Sequence, residues 1–190
     1  MLLLCGETYT KYIDAHDRAC RPIFSDAGSA TLIQHSERAK IGPFVLGTDG
    51  SGHCNLIVPN SGTRTAAEGT PNGNRRLKMD GPRVFMFTRA AVPEAVRELL
   101  TKAELNLEDV DLFVFHQASR LVLDDLTKSL KLPAEKVVQD LETIGNTVSA
   151  TIPIALKRAA DSERLAKGQT IMLVGFGVGY SWGACLVRWE

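Results

Sequence analysis

Apolar residues recur along the chain with two periods, and their alternation predicts strands layered with helices. Leu2-Leu3-Leu4-Cys5 is a short apolar run stopped by Gly6, which reads as a buried strand. Ala30-Thr31-Leu32-Ile33-Gln34 reads as a second strand, preceded by the small residues Ser25 to Ser29, which permit close backbone approach. Val84, Phe85, Val92, Val96, Leu99, Leu100 and Ala103 recur at helical spacing and predict a helix to about Leu105, with Pro93 as a point of kinking. Val110 to Phe115 is β-branched and aromatic, a core strand ending at His116-Gln117. Ser119 then caps a helix with Leu123, Leu126 and Leu130 on one stripe and Pro133 just past its end.

Further along, the pattern predicts a strand over 136–141, a turn at Gly145-Asn146 and a helix over 151–160 whose first turn accepts Pro153. Strands over 171–174 and 184–189 close the chain around Gly175-Phe176-Gly177-Val178-Gly179. Between Ile41 and Met79 the periodicity gives way to Gly, Asn, Ser and Thr. The turn signals Thr48-Asp49-Gly50-Ser51-Gly52 and Pro71-Asn72-Gly73-Asn74 make this a long surface excursion with a short strand near 55–58. Strands alternating with helices indicate an α/β fold.

Composition narrows the function classes. With 44% hydrophobic and 23% charged residues, the chain has the make-up of a globular protein. Lysine plus arginine number 22, as do aspartate plus glutamate, so no overall field draws the protein to nucleic acid or an anionic membrane. The apolar start is too short and too unflanked for a secretory signal, and no later run approaches the ~20 apolar residues that span a bilayer. A cytoplasmic protein is expected. Cys5, Cys20, Cys54 and Cys185 are scattered without a Cys-x-x-Cys pair, which argues for reduced, packed thiols and against a zinc or redox motif.

In an open α/β sheet reactive groups collect in loops beyond the carboxyl ends of strands. His116, Asn146 and the glycine-spaced segment 175–179 all occupy such positions. Alone, the first two also have ordinary readings: a hydrogen-bonded structural histidine and a plain Gly-Asn turn. The Gly-x-Gly-x-Gly spacing runs into a strand and does not open a helix, which rules out a dinucleotide loop. There is no Gly-x-Ser-x-Gly elbow, and adjacent His53-Cys54 lack further ligands, so neither a serine nucleophile nor a metal site is expected.

In combination and in order, these segments are more specific. His116-Gln117-Ala118-Ser119, then Gly145-Asn146-Thr147-Val148-Ser149-Ala150-Thr151-Ile152-Pro153, then 175–183, together with Ile23 to Ala30, Gly47 to Gly50 and Pro59-Asn60, resemble the beta-ketoacyl-acyl-carrier-protein synthase III family. The resemblance covers nearly the whole chain. It implies a thiolase-like α/β fold of two similar halves, with residues 1–40 ending the amino-terminal half, 41–79 connecting and 80–190 forming the carboxyl-terminal half.

It also implies a condensing acyltransferase of fatty-acid or related acyl-chain biosynthesis, working with a Cys-His-Asn trio. The family's cysteine falls upstream of the segment that Leu2 to Glu7 resembles, and none of the four cysteines here matches its motif. The chain is therefore expected to be a fragment, its cysteine supplied by a missing amino-terminal half or a second chain. His116 and Asn146 correspond to the donors that stabilise charge on a malonyl thioester oxygen during decarboxylation, and the Val178 backbone N–H corresponds to the oxyanion hole. Arg18 corresponds to a coenzyme A contact and Phe85 to an aromatic of the pantetheine tunnel.

No cofactor or metal is implied. The substrates are coenzyme A or acyl-carrier-protein thioesters, and the expected partners are acyl carrier protein, acyl-CoA and a second copy in a homodimer. Met86, Ser119 and Leu121 stand where the family has lysine, asparagine and arginine, and Arg120 is displaced by one. Either docking to a carrier protein or the acceptor itself is thus expected to differ. The alternative is a non-catalytic fragment or interaction subunit of the same fold.

Overall fold

A computed structural model of the chain describes residues 1–61 and 75–190. Two strands, β1 (Leu2–Glu7) and β2 (Ala27–Leu32), pair antiparallel as a separate ribbon. Among the described residues the main sheet has four strands in the order β3-β8-β7-β6. In chain order, β3 (Ile41–Thr48) is followed by a two-residue pair, β4 (Leu56–Ile57) with β5 (Lys78–Met79), and by the long helix α1 (Gly81–Ala103). Next come β6 (Leu112–Phe115), α2 (Arg120–Ser129) and α3 (Thr151–Asp161), and the hairpin of β7 (Thr170–Gly177) and β8 (Ser181–Arg188) ends the fold.

β6 explains why its sequence is continuously apolar. Its side chains alternate between two faces, and both are covered. Phe113 and Phe115 pack with Val92, Val96 and Leu99 of α1 and Leu123 and Leu126 of α2. Leu112 and Val114 pack on the opposite face with Ala155 and Ala159 of α3. β6 and β7 run parallel, with α2 and α3 in the crossover between them, while β7, β8 and β3 are antiparallel neighbours. The parallel pair aims the ends of β6 and β7 the same way; β7 runs on through Gly175 to Gly177, expected as a loop, and His116 lies against its carboxyl-terminal part.

Helix termini follow their capping residues. The Asp80 carboxylate accepts the Arg83 N–H and Pro82 occupies the first turn, so α1 starts at Gly81, three residues before the hydrophobic periodicity begins. Pro93 lies inside α1 and is buried. Ser119 caps α2 as its hydroxyl accepts the Val122 N–H at 3.3 Å.

Leu2, Leu3 and Leu4 of β1, expected to be buried, are exposed, and two further segments depart from the sequence reading. The strand expected over 136–141 is absent: only one bridge joins Val137 to Phe113, after a tight turn at Ala134–Lys136. A side chain has taken the ladder's place. The fully buried Gln117 amide donates to the carbonyls of Phe115 (2.7 Å) and Val138 (3.2 Å), and its oxygen accepts the Asp140 N–H at 2.7 Å.

The second departure lies in the excursion expected over 41–79. Its first eight residues form β3, the edge strand paired with β8. Gly47 had read as loop, but it serves close approach, since a Cβ there would lie 2.2 Å from the Trp182 ring of β8. The turn at Thr48–Gly52 is present, with the Asp49 carboxylate accepting the Ser51 N–H. The turn expected at Pro71–Asn74 lies outside the described residues.

Candidate active site

The His116 backbone N–H donates to Val174 O at 2.8 Å, extending the β6–β7 ladder by one residue and fixing the imidazole just past the end of β6. The ring meets Phe176 edge-on, with centroids 5.3 Å apart. Its Nδ1 lies 2.7 Å from Thr151 Oγ1, the first residue of α3. Burial lowers the His116 pKa from 6.5 to about 4, so the ring is neutral near pH 7.

Asn146 is held from outside the main sheet. Its backbone N–H donates to Ile23 O and its carbonyl accepts the Ser25 N–H, both at 2.9 Å, in the segment leading to β2. The Ser25 hydroxyl donates to Ile144 O. Gly145 adopts φ +61°, and a Cβ there would meet Ile23 O at 2.9 Å, so both conformation and clearance call for glycine before Asn146. The side chain is equally fixed: Oδ1 accepts the Val148 N–H at 2.9 Å and one Nδ2 hydrogen goes to Ala118 O at 3.2 Å. Among the described residues the second Nδ2 hydrogen has no acceptor, which leaves it to serve a ligand.

His116 and Asn146 line one cavity of about 1090 Å³, together with Val178 and Phe85. Its remaining wall is mostly apolar, including Leu46, Ile152, Phe176 and Trp182. Four of the five residues singled out from the sequence therefore converge. Arg18 does not: it is exposed and is not part of the cavity wall. No cysteine lines the cavity; Cys20 is buried elsewhere with Ile13 and Leu77. Thr151 and Gln117 were missed as contributors. For Thr151 the available signal was a hydroxyl at the first position of the helix that follows the Asn146 loop. Gln117 gave none beyond its adjacency to His116.

Residues 1–50 match the family model for 3-oxoacyl-[acyl-carrier-protein (ACP)] synthase III, and residues 100–189 match the model for the carboxyl-terminal part of that enzyme. The chain belongs to this family. A relative from Symbiobacterium thermophilum, a beta-ketoacyl-[acyl-carrier-protein] synthase III, is 39% identical over 99% of the chain. The chain spans 58% of that relative's length. A crystal structure of a 3-oxoacyl-(acyl-carrier-protein) synthase III superposes with a TM-score of 0.93 at 41% identity, over 99% of this chain and 60% of the other. The synthase III of Thermus thermophilus gives 0.89 at 36% identity, over 100% of this chain and 59% of the other. The thiolase-like α/β architecture expected from the resemblance is thus the fold of this chain. Among the described residues no helix is long and apolar enough to cross a membrane, and no cluster of three potential ligands could hold a metal ion.

Proposed function

We propose that this chain carries the decarboxylating part of a synthase III-type condensing enzyme. In this reading a malonyl thioester enters the cavity, carbon dioxide leaves, and the resulting carbanion attacks an acyl thioester carried on a cysteine, giving a beta-ketoacyl thioester. One observation carries it: the Asn146 amide, oriented by Val148 and Ala118, keeps one N–H without an acceptor among the described residues and lines the same cavity as the His116 imidazole. A pre-aimed donor in an apolar cavity stabilises oxygen charge where it develops, without reorganisation. Family membership supports the same reading.

The further parts of this proposal are these. The cysteine comes from outside the 190 residues, from an amino-terminal half or a second chain. Acyl-CoA and acyl carrier protein deliver the thioesters, no cofactor takes part, and the enzyme works as a cytoplasmic homodimer. Val178 supplies a backbone N–H to the oxyanion, Phe85 flanks the entering pantetheine, and Arg18 contacts the coenzyme A nucleotide from the surface. Residues 1–40 close one half of the fold and 80–190 form the other, with β3 completing the second half's sheet.

The test is to measure malonyl-thioester decarboxylation and labelled acyl transfer by the chain alone and mixed with an amino-terminal half bearing the family's cysteine. Recovery on mixing is the expected result, with decarboxylation abolished by His116→Ala and acyl loading on the partner slowed but still measurable. No recovery would favour the alternative of a non-catalytic interaction subunit.

A further inference from the structure

The hydroxyl of Thr151 has two neighbours and one hydrogen. Oγ1 lies 2.9 Å from Val148 O and 2.7 Å from His116 Nδ1. A carbonyl oxygen can only accept, so the hydroxyl hydrogen goes to Val148 O, the ordinary back-bond of a threonine at a helix start. The Oγ1 lone pair is then what meets Nδ1, and that contact is a hydrogen bond only if Nδ1 carries the proton. The opposite assignment would set two oxygen lone-pair regions against each other at Thr151 and Val148. Thr151 is 1% exposed, so water does not compete for its hydroxyl. Among the described residues Nε2 has no hydrogen-bond partner, and the ring forms part of the cavity wall.

We propose that Thr151 is a positioning residue that holds His116 in the Nδ1–H tautomer, so that the nitrogen offered to the cavity, Nε2, is an acceptor in the resting site. The two polar groups of the cavity then have opposite sense. Asn146 presents an N–H, and His116 presents a lone pair. Because the ring is neutral near pH 7, the acceptor state is the one a ligand meets first.

This rests on the condensing reading for its consequence, which concerns order. An acceptor nitrogen must take a proton before it can donate one. When the thiol to be acylated approaches, its S–H bond breaks and an Nε2–H bond forms. The thiolate attacks the acyl thioester, the new C–S bond replaces the old one, and the departing thiolate takes its proton from solvent, so that an imidazolium remains whose Nδ1–H stays on Thr151. Only in that protonated state does Nε2–H stand beside Asn146 as a second donor. Thr151 thus makes the donor role of His116 follow proton uptake.

The tautomer can be read without substrate, by two-bond proton–nitrogen correlation spectra of the chain labelled with ¹⁵N-histidine at pH 7. The signal of His116 is assigned by its loss in His116→Gln, and the other three histidines, His16, His35 and His53, are exposed. The wild type is expected to show protonated Nδ1 and bare Nε2. Thr151→Val, which leaves Nδ1 facing a methyl group, is expected to move the proton to Nε2, and Thr151→Ser to restore the wild-type pattern. A protonated Nε2 in the wild type, or an unchanged pattern in Thr151→Val, would overturn the proposal. If the valine variant does not fold, Thr151→Ala replaces it, and the wild-type spectrum alone still decides the resting tautomer. An inactive enzyme with the expected spectra would count against the condensing reading and leave this assignment standing.

Discussion

Asn146 reaches back to the loop that carries His116, its Nδ2 donating to the carbonyl of Ala118 at 3.2 Å. One hydrogen bond therefore ties the two polar loops of the cavity together, and the second amide hydrogen is aimed by the first. Asn146→Asp replaces both N–H groups with a carboxylate that can only accept, and places negative charge where negative charge must develop. In an enzyme reconstituted with its cysteine-bearing half, carbon dioxide release from a malonyl thioester is expected to fall ~100-fold or more. Loss of less than about 10-fold would mean that Asn146 orders the loops without stabilising the transition state.

Gln117 makes a separate, structural prediction. Its side chain is fully buried and satisfies two carbonyls and one N–H from segments that no ladder joins. Gln117→Leu keeps the volume and strands those groups. At about 1 kcal/mol or more for each unsatisfied buried group, the loss is expected near 3 kcal/mol, seen as a lower urea midpoint with an unchanged slope. A change below about 0.5 kcal/mol would show that water takes over the amide's role.

His116 links folding stability to pH. Its folded pKa is about 4, against an ordinary value of 6.5. Between those values the unfolded chain binds a proton that the folded chain refuses, so stability rises with pH. The contribution is complete above pH 6.5, is lost as pH falls, and is gone below about pH 4. Because the ring lines the cavity and is only half-buried, about 3 kcal/mol is an upper bound. Urea titrations at pH 7 and pH 5 should therefore show a loss in the wild type that is smaller in His116→Gln. Equal losses would mean that the ring titrates normally. Asp17, Asp26 and Asp49, whose pKa values are held down by hydrogen bonds, lose their contributions in a more acidic range.

Much of this arrangement was legible in the sequence because local rules and tertiary structure agree. The apolar run of β6, the Ser119 cap and the position of Pro153 each have a local cause that packing leaves intact. The failures share one cause: a partner distant in the chain replaced the local rule. Residues 136–141 have a strand's composition, yet Gln117 takes the hydrogen bonds a ladder would use. Gly47 looks like loop until Trp182 is laid across it. Likewise the convergence of His116 and Asn146 depends on Ile23 and Ser25, over a hundred residues away from Asn146, and no periodicity records that contact.

The four cysteines offer a prediction that separates reactivity from count. All are free thiols, but their surroundings differ. Cys20 is 1% exposed, and burial, reinforced by the neighbouring Asp17, pushes its pKa up to about 12. Burial also raises that of Cys185, on β8. Only the thiolate attacks an alkylating reagent, so both should be nearly inert near pH 7. Cys54 is exposed and lies just after the turn capped by Asp49. Timed iodoacetamide labelling read by peptide mass spectrometry should modify Cys54 first, with Cys20 and Cys185 protected until urea unfolds the chain. Early labelling of Cys20 would show that the segment packed around Ile13 and Leu77 opens in the native state, and would remove the reason for counting it as a structural thiol.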